Sequence, residues 1–172
     1  MSAVSGKPSP DEAFMALALR EARRAGRLGE VPVGALVVEP RTGAVIGRGH
    51  NLTIARHDPT AHAEVVALRR AGRRAGNHRL GGTVLYVTLE PCLLCLGAIV
   101  HARVARVVYG APDPKRGALA AARTRKVASL LHHRFQVTGG VLAEEGARLL
   151  LDFFHGRRGP RRLAPPHGRL LD

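Results

Sequence analysis

The sequence contains no apolar run near the roughly 18 residues that a membrane-spanning helix needs; the longest, residues 93–100, is interrupted by Cys95 and Gly97. The first dozen residues lack the apolar stretch of a secretory leader. Cysteine is confined to Cys92 and Cys95, so no disulfide framework is available, and in a reducing compartment such a pair points to metal or redox chemistry. Acidic residues are scarce, 13 Asp+Glu against 27 Lys+Arg, and only three of those cations are lysines. No internal repeat is visible. These absences predict a soluble cytoplasmic protein with no membrane segment.

What is present fits one compact domain: 172 residues, of which 45% are hydrophobic. The net charge of +14 builds along the chain, +2 over residues 1–60, +5 over 61–112 and +7 over 113–172. Such an excess suits a polyanion such as nucleic acid, because basic groups gain by releasing condensed counterions. An arginine-rich coding bias would give the same total without a partner. If a polyanion is bound, the charge of the folded body should gather at the mouth of a site.

Apolar spacing and turn residues predict a first amphipathic helix over residues 10–28, on which Phe14, Leu17, Ala18, Ala22 and Ala25 share a face. A hairpin over 33–38 and 44–49 follows, then a helix over 61–75 introduced by an N-cap at Asp58-Pro59-Thr60. A strand over 83–89, a helix over 92–101 with Pro91 as its first residue, and a strand over 104–109 come next. Residues 110–117 read as loop, 118–131 as one weak helix, 135–137 as an edge strand and 142–154 as a last helix. The alternation predicts an α/β fold, a three-layer α/β/α sandwich on a mixed five-stranded sheet. The domain is expected to span residues 1–156, with 157–172 a basic, disordered C-terminal tail.

Two short motifs carry chemistry. His62-Ala63-Glu64 and Pro91-Cys92-Leu93-Leu94-Cys95 each fall at an expected helix start. Cys92 and Cys95, three apart, share one helix face at the positive end of the dipole. With His62 they make three ligands of the types zinc prefers, and three protein ligands leave a fourth position open for water, the arrangement of a catalytic rather than a structural ion. Glu64 need not ligate and is placed to shuttle a proton. Alone, each piece has a plainer reading: the Cys pair as a thioredoxin-like redox site, His62 as a surface residue, Glu64 as a first-turn acid. Their joint occurrence is the specific signal. His57, His101, His132 and His133 have no such partners and read as structural or surface residues, with a place beside nucleic acid as a second reading of the last two.

The residues resemble a known family. A His-x-Glu followed by Pro-Cys-x-x-Cys is the signature of zinc-dependent nucleobase deaminases. The segments at 31–35, 56–64, 85–92 and 106–110 are similar to those of bacterial tRNA-specific adenosine deaminases, in the cytidine and deoxycytidylate deaminase superfamily, and the likeness runs over about residues 14–158. Residues 110–118 and Asp152-Phe153-Phe154 favour the tRNA enzyme over guanine or cytosine deaminases.

The resemblance implies a cytidine-deaminase-like fold, a homodimer, one zinc ion per subunit, and a tRNA anticodon stem-loop as substrate, with wobble adenosine hydrolysed to inosine. By matching position, zinc falls to His62, Cys92 and Cys95, and the proton shuttle to Glu64. Asn51 would hydrogen-bond the purine, Val33 would form an apolar wall, and the amide of Ala63 would face the reacting base. Asp113 would lie near the ribose, where a 2′-hydroxyl distinguishes RNA from DNA. Lys115, Phe153, Phe154, Arg157 and Arg158 would contact the loop, core packing being the alternative for the two phenylalanines. His50 stands where tryptophan is common, which would weaken or change stacking there, and residues 119–135 diverge most. A deaminase of free bases or nucleosides, and a non-catalytic RNA-binding module with structural zinc, are the alternatives.

Overall fold

The computed structural model of the chain describes residues 7–157. In order these form α1 (Pro10–Arg27), β1 (Gly34–Glu39), β2 (Ala44–His50), α2 (Ala63–Ala75), β3 (Val84–Leu89), α3 (Leu93–Ala102), β4 (Arg106–Ala111), α4 (Leu119–Ala122), α5 (Arg125–Ala128), β5 (Gln136–Thr138) and α6 (Ala143–Arg157). The strands lie in the order β2-β1-β3-β4-β5, antiparallel at β2-β1 and β1-β3 and parallel at β3-β4 and β4-β5. The sheet is mixed and five-stranded, as expected.

Side chains on a strand alternate between faces, and here both faces are apolar, so the sheet must be covered twice. Ala35, Val37, Leu85, Val87 and Val107 join Ala67, Leu96 and Ile99 of α2 and α3 in one buried cluster. Leu36, Val38, Val84, Tyr86 and Val108 join Met15 and Ala18 of α1 in the other. Leu19, Ala22 and Ala25 complete the buried face of α1. That helix begins with a reciprocal capping box between Ser9 and Glu12. Asp11 pins it to the sheet by accepting from Tyr86 at 2.8 Å and from both terminal nitrogens of Arg106.

Three local expectations are corrected. The cap of α2 is His62 rather than the Asp58-Pro59-Thr60 turn, whose Asp58 Oδ1 is spent on the amide and hydroxyl of Thr60. Pro91 precedes α3 and is not in it; Cys92 is the cap. The single helix expected over 118–131 is two short ones, because Thr124 turns extended and caps α5 through the Val127 amide. At the C-terminus α6 runs through Arg157, one residue past the expected domain edge; the tail from Arg158 onward lies outside the described residues.

Candidate metal centre and pocket

His62 and Cys92 are the N-caps of α2 and α3, and neither side chain caps its helix. Both point instead at a common centre. His62 Nδ1 lies 3.6 Å from Cys92 Sγ and 3.5 Å from Cys95 Sγ, and the two sulfurs are 3.8 Å apart. Tetrahedral zinc with Zn–S near 2.3 Å and Zn–N near 2.0–2.1 Å requires about 3.6 Å between N and S and about 3.8 Å between the sulfurs. The triangle fits that ion. Among the described residues it is the one group of three or more His, Cys, Asp or Glu close enough to hold a metal.

The donors are electrically suited to a cation. Cys92 is pushed down to about 3 by its hydrogen bonds with Cys95 and His62. Cys95 is pushed up by its bond to Cys92 and by burial, so the two thiols oppose each other, and a divalent ion removes the opposition by taking both as thiolates. His62 is raised by its bond to Cys92. Burial raises Glu64, which is only 4% exposed in the first turn of α2.

The centre lies at the floor of a pocket of about 200 Å³ lined by Val31, Val33, Asn51, Thr53, His62, Glu64, Leu89, Glu90, Cys92, Asp113 and Arg116. These come from the connection before β1, the end of β2, the starts of α2 and α3, and the carboxyl ends of β3 and β4, which is where open α/β sheets place ligands. The connection after β2 is held by Glu30, a fully buried carboxylate that accepts from the Ile54 and Ala55 amides and the Thr53 hydroxyl. A larger groove of about 870 Å³ lies away from this centre, among α4, α5 and β5.

Of the residues singled out in the sequence, His62, Glu64, Cys92, Asn51, Val33 and Asp113 line this pocket. Asn51 and Ala63 are joined to each other: the Ala63 amide donates to Asn51 Oδ1 at 2.9 Å, while Asn51 Nδ2 donates to the Val31 carbonyl. The Ala63 N–H is therefore occupied, and Asn51 retains one amide hydrogen and one lone pair. Asp113 folds its Oδ1 onto the Lys115 and Arg116 amides, 3.0 Å each, leaving Lys115 exposed outside the pocket. Phe153, Phe154 and Arg157 are not in the pocket wall. Phe154 is 45% exposed, Arg157 lies over the Phe153 ring and donates to the Gly29 carbonyl, and this end of α6 thus sits beside the connection that carries Val31 and Val33. Arg158 lies outside the described residues.

One expectation changes. His50 is 2% exposed and bonded to Glu21 of α1 at 3.0 Å, so it faces the opposite layer and stacks on nothing in the pocket. His133, read as a structural or surface residue, is a structural tie: its Nε2 donates to the Val104 carbonyl between α3 and β4, 2.7 Å away. The sequence missed Glu90, Arg116, Val31, Thr53 and Leu89; the only signal for the first two was their adjacency to Pro91-Cys92 and to Lys115.

A His-Cys-Cys centre at two helix starts beside a mixed sheet, with a buried glutamate two residues from the histidine, defines a zinc-dependent deaminase. Residues 8–111 match the cytidine and deoxycytidylate deaminase zinc-binding region, and the chain belongs to that family. Within it, its relatives include tRNA-specific adenosine deaminases. The one from Haemophilus influenzae is 44% identical over 163 residues, covering 95% of this chain and 94% of the relative. That from Agrobacterium fabrum is 46% identical over 145 residues, covering 84% and 94%. A solved structure from a study of A-to-I editing by tRNA:A34 deaminases at the wobble position superposes with a TM-score of 0.73 at 45% identity, covering 80% of this chain and 99% of that one.

Proposed function

We propose that this chain hydrolyses adenosine at the wobble position of a tRNA anticodon to inosine and ammonia, in the cytoplasm, as a homodimer. One observation carries the reading: a buried glutamate shares a small pocket with a zinc-shaped ligand triangle, in a chain whose close relatives bear that activity. The volume of about 200 Å³ is below the roughly 300–1,000 Å³ of pockets that enclose a whole ligand, which suits one splayed-out base with the rest of the RNA outside.

His62, Cys92 and Cys95 would hold the zinc, which supplies a Lewis acid that lowers the pKa of water toward neutrality. Val33 and Leu89 wall the base, and the spare hydrogen and lone pair of Asn51 meet its polar edge. Glu64 takes a proton from water, delivers it to a ring nitrogen as oxygen adds at C6, and passes a second proton to the departing amine, so water and adenosine leave as inosine and ammonia. The free Oδ2 of Asp113 is available to the ribose, and Phe153, Phe154, Lys115 and Arg157 to the loop around it. The homodimer reading is supported by α3, whose Leu93 is 72% and Leu94 41% exposed at the rim of the metal centre, an apolar surface suited to a second copy.

The test is Glu64→Ala. It should retain zinc and bind an anticodon stem-loop while inosine formation falls by at least about 10²-fold, the lower end of acid–base contributions. Turnover near wild type would refute the role. Ammonia released from free adenosine, cytidine or guanine as fast as from the stem-loop would favour the free-base reading.

A further inference from the structure

Glu90 is a half-buried carboxylate in the pocket wall that the chemistry above leaves unused. It lies between the end of β3 and Pro91-Cys92. Its Oε2 accepts the Asp113 amide at 3.2 Å and its Oε1 accepts the Leu119 amide at 3.3 Å, so one side chain holds both ends of the loop 112–118. The backbone follows the same path. The Glu90 amide donates to the Ala111 carbonyl, the Ala118 amide donates to the Pro91 carbonyl, and Cys92 bridges to Gly117. A Cβ at Gly117 would collide with the Glu90 carboxyl group and the Asp113 carbonyl, so glycine permits the approach. Among the described residues Glu90 forms no ion pair, although Lys115 and Arg116 belong to the loop it holds. Both of its carboxyl oxygens are spent on backbone amides of that loop.

The loop so held carries Asp113 and Arg116 into the pocket beside His62, Glu64 and Cys92. We propose that Glu90 is a positioning residue that locks the rim loop 112–118 to the backbone of the metal ligand Cys92 and so presents Asp113 and Arg116 to the RNA. The inference rests on the RNA-deaminase reading. Its effect falls on RNA binding and leaves the metal centre intact.

Glu90→Gln keeps the volume but replaces one acceptor oxygen by an amide that faces another N–H donor, releasing one end of the loop. Affinity for an anticodon stem-loop RNA is measured by fluorescence anisotropy in the Glu64→Ala background, with and without Glu90→Gln. Steady-state kinetics are measured without the Glu64 change, and zinc content is measured on every protein. The expected result is a rise of about tenfold in Kd and KM, kcat within about threefold of wild type, and one zinc per chain retained. Unchanged Kd and KM overturn the inference, as does a loss of zinc or a fall confined to kcat. Gly117→Ala strikes the same contact from the other side, so its effect on Kd should not add to that of Glu90→Gln; additive effects also overturn it. A wild-type chain that neither binds nor deaminates the stem-loop defeats the underlying reading, whereas an active wild type with an indifferent Glu90→Gln defeats this inference alone.

Discussion

His62 and His50 are the same side chain put to opposite uses. His62 caps a helix with its backbone and turns its ring to two sulfurs, whereas His50, at the end of β2, is sealed under α1 against Glu21. Burial holds the His50 pKa below its ordinary 6.5, the Glu21 carboxylate offsets part of that, and Arg24 and Arg70 add to the lowering, so the contact is a neutral N–H donating to a carboxylate. As pH falls, the unfolded chain takes up this proton before the folded one does. The contribution is therefore fully present above about pH 6.5 and is lost progressively as pH falls toward the depressed folded value. Urea midpoints of wild type should drop between about pH 7.5 and pH 5.5, and those of His50→Gln should drop less. Parallel profiles would remove His50 from the account.

At the scale of elements, the ligand-bearing helix α2 is set by how closely it lies on the sheet. A Cβ on Gly49 would strike the Ala63 carbonyl and the Ala67 amide of α2, and one on Gly47 would strike the Ala67 carbonyl. Bare strand positions thus let the backbone of α2 rest on β2, which fixes where its first turn presents His62 and Glu64. Gly49→Ala should cost about 1–3 kcal/mol in unfolding free energy, the usual range for overpacking, and should speed zinc loss to a chelator. An unchanged zinc off-rate in a destabilised protein would separate the sheet contact from the metal centre.

This scale also shows what the sequence could and could not disclose. Apolar periodicity and turn residues together placed α1, the hairpin, α2, β3, α3, β4 and α6 within a few residues; α1 and α2 each bury a face long enough to leave a period. It failed between 118 and 131, where four-residue helices are too short for one and where the Thr124 cap decides the break. Zinc ligands were legible because metal chemistry fixes both residue type and spacing. The rest of the wall was not: Val31, Thr53 and Leu89 converge from separate connections, and ordinary side chains become pocket residues only by that convergence. Glu90 and Arg116 are chemically conspicuous, yet nothing local marks a carboxylate whose partners are amides 23 and 29 residues away.

Over the whole molecule, the positive charge does not gather at the pocket mouth. Arg116 is the one cation lining it among the described residues, while Arg20, Arg23, Arg24 and Arg27 are exposed on α1 and Arg69, Arg70, Arg73 and Arg74 on α2. The case for RNA rests on the site and the relatives. The apolar surface of α3 is more telling. Leu93→Asp should convert a dimer to a monomer in sedimentation velocity with the fold retained by circular dichroism; a wild type that sediments as a monomer at micromolar concentration would end the dimer reading.

Both ligand helices start without a side-chain cap, in a chain that elsewhere caps α1 with Ser9 and α5 with Thr124. A missing cap costs about 1 kcal/mol per helix, and the side chains that could supply one are turned to a common centre, where a bound ion would tie the two helix starts together. Zinc is thus a rivet through the fold as well as a reagent. A chain without the ion would lack that tie, so limited proteolysis near the starts of α2 and α3 should quicken after zinc is removed by a chelator.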